Sequence, residues 1–273
     1  MNTSNDNTYA RGNLSWIYVS SIIIAILMMI ASISGLQSRA TIYPTEELIQ
    51  SFVPNDVVNL FIGLPILLGS MWLTWRGKLI GSLFWMGALF FVFYNYIGYI
   101  FATPLTWAFL LYLSLTVLSA YSFISSIISL DGERVRLRLN GAIPEKLAGG
   151  VLVGLGLLFM LRVIGVLAGA IFSDADLPRT ELAVNIADFF ISPAWIIGGV
   201  QLWQRQTFGY VTGLGLLFQG SMLFVALIIF LLLQPLLTNA PFAIVDVIVI
   251  FLMGLICFIP LGFFIRGVSS SEK

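Results

Sequence analysis

The chain has 273 residues, of which 59% are hydrophobic and only 10% are charged, whereas about a quarter of the residues of an average soluble domain are charged. The 13 basic and 13 acidic residues balance, so no basic surface of the kind that binds nucleic acid is indicated. There is no histidine and Cys257 is the only cysteine, which excludes His/Cys zinc sites, histidine-ligated haem, Ser-His-Asp triads and dithiol redox pairs. The composition predicts an integral membrane protein with no cofactor.

Apolar runs long enough to cross a bilayer occur eight times along the chain. A hydrocarbon core of about 30 Å requires about 20 residues of α-helix. We number the predicted runs spans 1 to 8, and they cover about residues 15–36, 57–75, 79–101, 105–129, 147–172, 182–203, 208–233 and 241–265. Span 1 is longer than the apolar part of a cleaved signal peptide, so we expect it to be retained. The predicted fold class is all-α, a polytopic helical membrane bundle without a folded domain outside the membrane.

The positions of the basic residues predict the orientation of the spans. Lysine and arginine in short loops stay on the cytoplasmic side of a membrane. With eight spans, only Arg39 and Arg179 fall on one side, and Arg162 lies inside span 5. We therefore expect both termini to be cytoplasmic, in a protein of the plasma membrane. The basic residues on the other side are Arg11, Arg76, Lys78, Arg134, Arg136, Arg138, Lys146, Arg205, Arg266 and Lys273.

Spans 1 to 4 can be aligned with spans 5 to 8, which indicates an internal repeat. Because each unit has four spans, both insert in the same direction, as parallel repeats related by an axis along the membrane normal. The predicted domains are a first repeat with a short cytoplasmic N-terminal tail (1–130), a basic cytoplasmic linker (131–146) and a second repeat (147–273). Matched pairs are Pro44 with Pro178 and Glu47 with Glu181 at an offset of 134 residues, and Pro65 with Pro193, Gly81 with Gly209 and Gly87 with Gly215 at an offset of 128.

The linker combines turn signals with alternating charge. Asp-Gly and Asn-Gly pairs at 131–132 and 140–141 are typical of turns. Between them, Arg134, Arg136 and Arg138 alternate with apolar residues, and this period of two predicts an extended segment with three cations on one face. Two interpretations are open: the cationic face rests on anionic lipid headgroups, or the segment only joins the repeats and fixes their topology.

One basic residue, Arg162, lies deep inside a span. It is about 11 residues from the outer end of span 5, or about 16 Å deep at 1.5 Å per residue. An arginine at the centre of a membrane costs about 2.5–3.5 kcal/mol, so we expect its side chain to face the bundle interior, a cavity or a carboxylate. Asp188 in span 6 is the favoured partner, with Asp56 and Asp246 as alternatives.

Polar residues also follow single faces of two spans. Spacings of 4, 3 and 4 residues place one set on a single helical face of span 6, running inward from the outer side. The set is Glu181, Asn185, Asp188 and Ser192, and span 2 has a weaker version in Asp56 and Asn59. These residues either line a vestibule for a ligand or ion, or form hydrogen-bonded contacts between helices. For Asp56 and Asp246, a position near the interface with access to water is a further alternative.

Prolines interrupt spans 2 and 6 at matching positions. Pro65 and Pro193 each remove a backbone hydrogen bond and predict a kink, with a carbonyl left without its donor one turn earlier, at Phe61 and Phe189. Broken helices of this kind either present backbone groups to a solute or cation, or serve packing alone.

Aromatic residues are concentrated near the outer end of span 3. Tyr94, Tyr96 and Tyr99 occupy the positions where an aromatic belt at the membrane interface is expected. Asn95 among them is expected to form a hydrogen bond to a neighbouring helix.

Three classes of function fit these observations. The first is a transporter or binding protein with an outward-facing polar cavity between spans 2, 5, 6 and 8 for a small polar solute or cation. The second is a non-catalytic membrane component, such as an assembly factor, receptor or subunit, whose intramembrane polar residues are structural. The third, an enzyme acting on lipid, lacks a recognised carboxylate motif. Membrane lipids are the expected partners, and the sequence does not define the oligomeric state.

Overall fold

The structure, a computed structural model, describes residues 14–173 and 176–271. Arg11 and Lys273, two of the residues that predict the orientation, lie outside the described residues. Within them the fold is all-α and eight helices are long and apolar enough to cross a membrane, so the chain is a multi-pass membrane protein. The helices are α1 (Ser15–Gln37), α2 (Arg39–Ile42), α3 (Glu46–Val58), α4 (Leu64–Trp75), α5 (Leu79–Ala102), α6 (Trp107–Ser129), α7 (Gly132–Leu139), α8 (Glu145–Ser173), α9 (Arg179–Trp203), α10 (Thr207–Leu237) and α11 (Ile244–Ser271).

The second span is longer than the sequence predicted. A π-helical turn, Asn59–Gly63, joins α3 to α4, and together they form one span that starts at Glu46 and not near residue 57. Thr45 caps this helix because its side chain accepts a hydrogen bond from the Leu48 backbone N–H at 3.3 Å. The acidic residues in the first turn stabilise the helix, because their negative charge lies at the positive end of the helix dipole. The polar residues around Pro54 are therefore helical, and Asp56 lies about 15 Å into the span.

The basic linker is not extended as predicted. It contains α7, in which successive arginines at a spacing of two point in different directions around the helix. Val135 and Leu139 are fully buried in the bundle core, while Arg136 forms an ion pair with Glu133 at 2.7 Å. The hydrogen bonds from Arg136 lower the pKa of Glu133. The three arginines therefore do not form one cationic face, because the alternating pattern coincides with a short capped helix.

The centre of the bundle is formed by α5 and α10. The most apolar stretch of α5 is 72% buried, against 22% for α8 and for α11, which lie at the periphery. α5 contacts α4, α6, α9 and α10, while α10 also contacts α3, α9 and α11. At the crossing of the two central helices, a Cβ atom on Gly87 would collide with the backbone carbonyl oxygen of Gly215. Both positions therefore need glycine for the helices to approach this closely.

Candidate functional site

Arg162 and Asp188 form an ion pair between α8 and α9. Arg162 Nη1 donates to Asp188 Oδ2 at 2.6 Å, and Tyr94 Oη on α5 donates to Asp188 Oδ1 at 3.0 Å. The Asp188 side chain is 1% exposed, whereas that of Arg162 is 45% exposed. Two donors on separate helices thus fix the carboxylate, while nearly half of the Arg162 side chain remains accessible.

Arg162 is one of the residues that line a cavity of about 450 Å³, which we call the Arg162 cavity. It lies between α3, α5, α8, α9 and α10 and extends to the ends of α3 and α9 that the topology predicts to be outside. Aromatic side chains form much of its wall, and its polar lining residues are Ser51, Asn55, Tyr94, Asn95, Arg162, Thr180 and Glu181. The cavity can therefore hold a small molecule with an apolar body and at least one polar group.

The remaining predicted residues of α9 lie along the same helix face. Glu181 lines the outer part of the Arg162 cavity, and Asn185 is fully buried and donates to the Glu181 carbonyl oxygen at 2.8 Å. Ser192 donates to the Asp188 carbonyl oxygen at 2.6 Å. The predicted polar stripe is thus present, and its upper part borders the cavity while its lower part is enclosed by protein.

Span 8 does not contribute as the sequence suggested. Asp246 is exposed on α11 and lines no part of the Arg162 cavity. The sequence predicted a cavity between spans 2, 5, 6 and 8. In the structure, α5 and α10 line the cavity and α11, which is span 8, does not. The reason is that α11 packs mainly against α10, and Asp246 lies in its first turn, whereas Asp188 is more than two turns into α9.

Asp56 does not line the Arg162 cavity and lies in a network of buried hydroxyl and amide groups, which reaches the cavity wall through Asn55. Its carboxylate accepts hydrogen bonds from Tyr43 Oη at 2.8 Å and from Tyr99 Oη at 2.9 Å. Tyr99 Oη in turn accepts from Asn55 at 3.2 Å and from Asn59 at 3.3 Å. Asp56 is 1% exposed, so it is not a near-interface residue reaching water.

The tyrosines of this network were missed by the sequence analysis. Tyr96 and Tyr99 were expected in the interfacial belt, but both are fully buried. Asn95, as expected, bonds to a neighbouring helix, because it accepts from Asn55 at 2.8 Å and donates to Asn59. One sequence feature could have indicated the network: the tyrosines and Asn95 lie close together in span 3. This clustering is as compatible with a polar face inside the bundle as with an aromatic belt at the interface.

The two prolines have different local structures. Pro65 is the second residue of α4, two residues after the end of the π-helical turn, where the helix changes its hydrogen-bonding pattern. Pro193 lies inside α9, which continues as an α-helix on both sides of it. Phe61 and Phe189, whose carbonyls were expected to lose their donors, have exposed side chains on the outside of the bundle. Of the two spans, only the one containing Pro65 changes its helix type.

Comparisons with protein-family models, with curated proteins and with solved structures find no match. Within residues 14–173 and 176–271, no three His, Cys, Asp or Glu side chains are grouped closely enough to hold a metal ion. The chemistry of the site therefore has to be inferred from its own residues.

Proposed function

We propose that this protein is a membrane-embedded binding or transport protein whose small solute occupies the Arg162 cavity. The unequal exposure of the Arg162–Asp188 pair supports the proposal most directly. A pair that only locks two helices is best enclosed on both sides, because water competes for an accessible charge. Here the carboxylate is enclosed, whereas the Arg162 side chain is accessible and lines a space large enough for a ligand.

The chemistry of the cavity favours a solute that carries a hydrogen-bond acceptor. A guanidinium group has five N–H donors, and in the structure Nη1 of Arg162 donates to Asp188. The other donors suit a carboxylate, phosphate or carbonyl group of a ligand. Because a guanidinium group only donates hydrogen bonds, Arg162 fits an anionic or neutral polar solute better than the cation that the sequence left open.

A second candidate function is supported by the surface of α8. This helix packs mainly against α9, and its exposed outer half carries Gly165 and Gly169, with no atom within 4 Å of the position of a Cβ at either glycine. Such a small-residue face allows close approach of another membrane helix. In a non-catalytic membrane component, that face would bind a partner subunit and the polar residues would be structural.

A thermal-shift screen of the purified protein tests the leading proposal. Small carboxylates, phosphates and uncharged polar solutes are added to wild type, to Arg162→Met and to the control Arg179→Met, which removes an exposed arginine from the start of α9. We expect one class to raise the melting temperature of wild type and of the control but not of Arg162→Met. Equal shifts in all three proteins would contradict binding at Arg162.

We also propose that the two halves are parallel repeats, with both termini in the cytoplasm of a plasma-membrane protein. Close glycine contacts recur at the predicted offset of 128 residues. Gly81 packs on the backbone of Leu73 and Thr74, and Gly209 packs on that of Gln201 and Leu202. The Gly87–Gly215 crossing joins two positions of the same alignment, as expected for a two-fold axis between α5 and α10.

A further inference from the structure

We propose that Asp56 and the hydroxyl groups around it bind one monovalent metal cation, at a site separate from the Arg162 cavity. Asp56 lies three residues before the π-helical turn and is 1% exposed. Burial of a charged carboxylate is costly unless a cation or several hydrogen bonds balance the lost hydration. Among the residues that the structure describes, no lysine or arginine lies within ion-pair distance of Asp56.

Arg39 influences Asp56 only from a distance. Its side chain is exposed, and its guanidinium group donates to the carbonyl oxygens of Leu36 at 3.2 Å and Leu237 at 3.4 Å. The local balance of charge at Asp56 is therefore one carboxylate surrounded by neutral hydroxyl groups.

Five hydroxyl groups from several chain segments surround the Asp56 carboxylate. Tyr43 and Tyr99 donate to it, and Tyr112 Oη lies 3.4 Å from Tyr43 Oη. Ser32 Oγ and Tyr96 Oη are fully buried, and neither makes a hydrogen bond of ordinary geometry. The Ser32 hydroxyl nevertheless lies close enough to Asp56 and to Tyr96 for a weak hydrogen bond to each, so both hydroxyl groups belong to the cluster around the carboxylate.

Helix α1 brings Ser32 to the carboxylate through a close contact at Gly35, one turn further on. A Cβ on Gly35 would collide with Asp56 Oδ2 and with Tyr43 Oη. The backbone of α1 thus lies directly against the carboxylate, and the hydroxyl of Ser32 is on the same helix face. A hydroxyl group that donates its hydrogen keeps two lone pairs, so the oxygens of Ser32 and Tyr96 can serve as ligands of a cation at this point.

The charge and ligand types select a monovalent ion. Hydroxyl and carboxylate oxygens are hard ligands that suit alkali and alkaline-earth ions and not soft transition metals. A single carboxylate neutralises one positive charge, whereas a divalent ion would leave a net charge in a low-dielectric interior. No second carboxylate accompanies Asp56 in the described hydrogen-bond network. Cation sites in transporters also occur where a membrane helix departs from α geometry, as α3 does after Asp56.

The experiment measures thermal unfolding of the purified full chain by tryptophan fluorescence at pH 8 in NaCl, KCl or choline chloride of equal ionic strength. An ion that binds the folded state raises the melting temperature, and the effect saturates as the ion concentration increases. We expect Na⁺ or K⁺ to stabilise wild type relative to choline, and Asp56→Asn to remove this difference. The control Asp246→Asn neutralises an exposed carboxylate and should keep the cation-dependent shift. Equal melting temperatures of wild type in all three salts would overturn the proposal.

Two milder variants keep the test independent of the folding of Asp56→Asn. Ser32→Ala and Tyr96→Phe each remove one hydroxyl but retain the carboxylate, and we expect each to weaken the apparent cation affinity by about tenfold or more. Unchanged affinity in both would contradict the assigned ligands. The solute screen at Arg162 uses different residues, so failure of the cation site leaves the proposed function to its own test.

Discussion

At the scale of single residues, the exposure of Arg162 could not be predicted from its position in the sequence. Its depth and charge indicated an inward-facing side chain, and the spacing on span 6 made Asp188 the favoured partner. The structure brings these two together, but it also shows that one partner is accessible and the other enclosed. That difference depends on where α3, α5 and α10 leave a cavity beside α8, and no local pattern encodes it.

The first prediction concerns the stability of the Arg162–Asp188 pair. Arg162→Met should lower the free energy of unfolding by about 3 kcal/mol, because it leaves the buried Asp188 carboxylate without its cation. The double variant Arg162→Met with Asp188→Leu should recover most of this loss, since the stranded charge is then removed as well. Chemical unfolding in detergent measures both. An unaltered free energy of unfolding in the single variant would mean that Asp188 does not depend on Arg162.

The second prediction concerns the hydrogen bond of Tyr94 to Asp188. Tyr94→Phe should cost about 1.5–3 kcal/mol, because a hydrogen bond to a charged group is lost in a buried position. Tyr121→Phe is the matched control, since Tyr121 is 65% exposed on α6 and should change stability little. The same unfolding assay applies, and an equal effect of both variants would contradict the assigned role of Tyr94.

At the scale of helices, local signals were sufficient for most spans but not for the second span or the linker. Hydropathy identifies long apolar runs, and α1, α5, α6 and α8 agree with them to within two residues. The segment before residue 57 was missed because its polar residues face a polar network inside the bundle. The linker was predicted as extended because a period of two in a short segment does not distinguish a strand from a capped helix.

A third prediction tests the start of α3 at Glu46. Thr45→Ala should reduce stability by about 0.5–2 kcal/mol, because the first turn loses its side-chain cap. Thr106→Ala is a matched control, since Thr106 precedes α6 without a side-chain capping bond. Thermal unfolding compares the two, and a neutral Thr45→Ala would argue against this cap.

A fourth prediction tests the close crossing of α5 and α10. Gly87→Ala should destabilise the protein by about 1–3 kcal/mol, because its Cβ atom would push against the backbone of Gly215. Gly69→Ala on α4 serves as the control, since nothing lies within 4 Å of its added methyl group and alanine favours a helix. If both substitutions behave alike, the two helices are further apart than the structure places them.

At the scale of the whole molecule, eight spans and the uneven distribution of basic residues predict that both termini are cytoplasmic. Reporter fusions at the N- and C-termini should both be active on the cytoplasmic side, whereas a fusion in the connection at 103–106, between α5 and α6, should report the opposite side. If both reporters lie on the outer side, the predicted orientation is wrong. If the two reporters lie on opposite sides, the number of spans is odd.

The sequence by itself determined that this chain is an all-α membrane protein of eight spans. The reason is that the length of an apolar run is a local property, and it decides whether a helix can cross the hydrocarbon core. It also identified Arg162, Asp188 and Asp56 as unusual, since a charge at membrane depth is costly wherever the helix packs. Only the tertiary structure decided which charges meet, placing Asp188 beside Arg162, Asp56 among tyrosines and Asp246 at the surface. The physical reason is that partner choice depends on helix packing and rotation, which are set by close contacts such as the glycine crossing of α5 and α10.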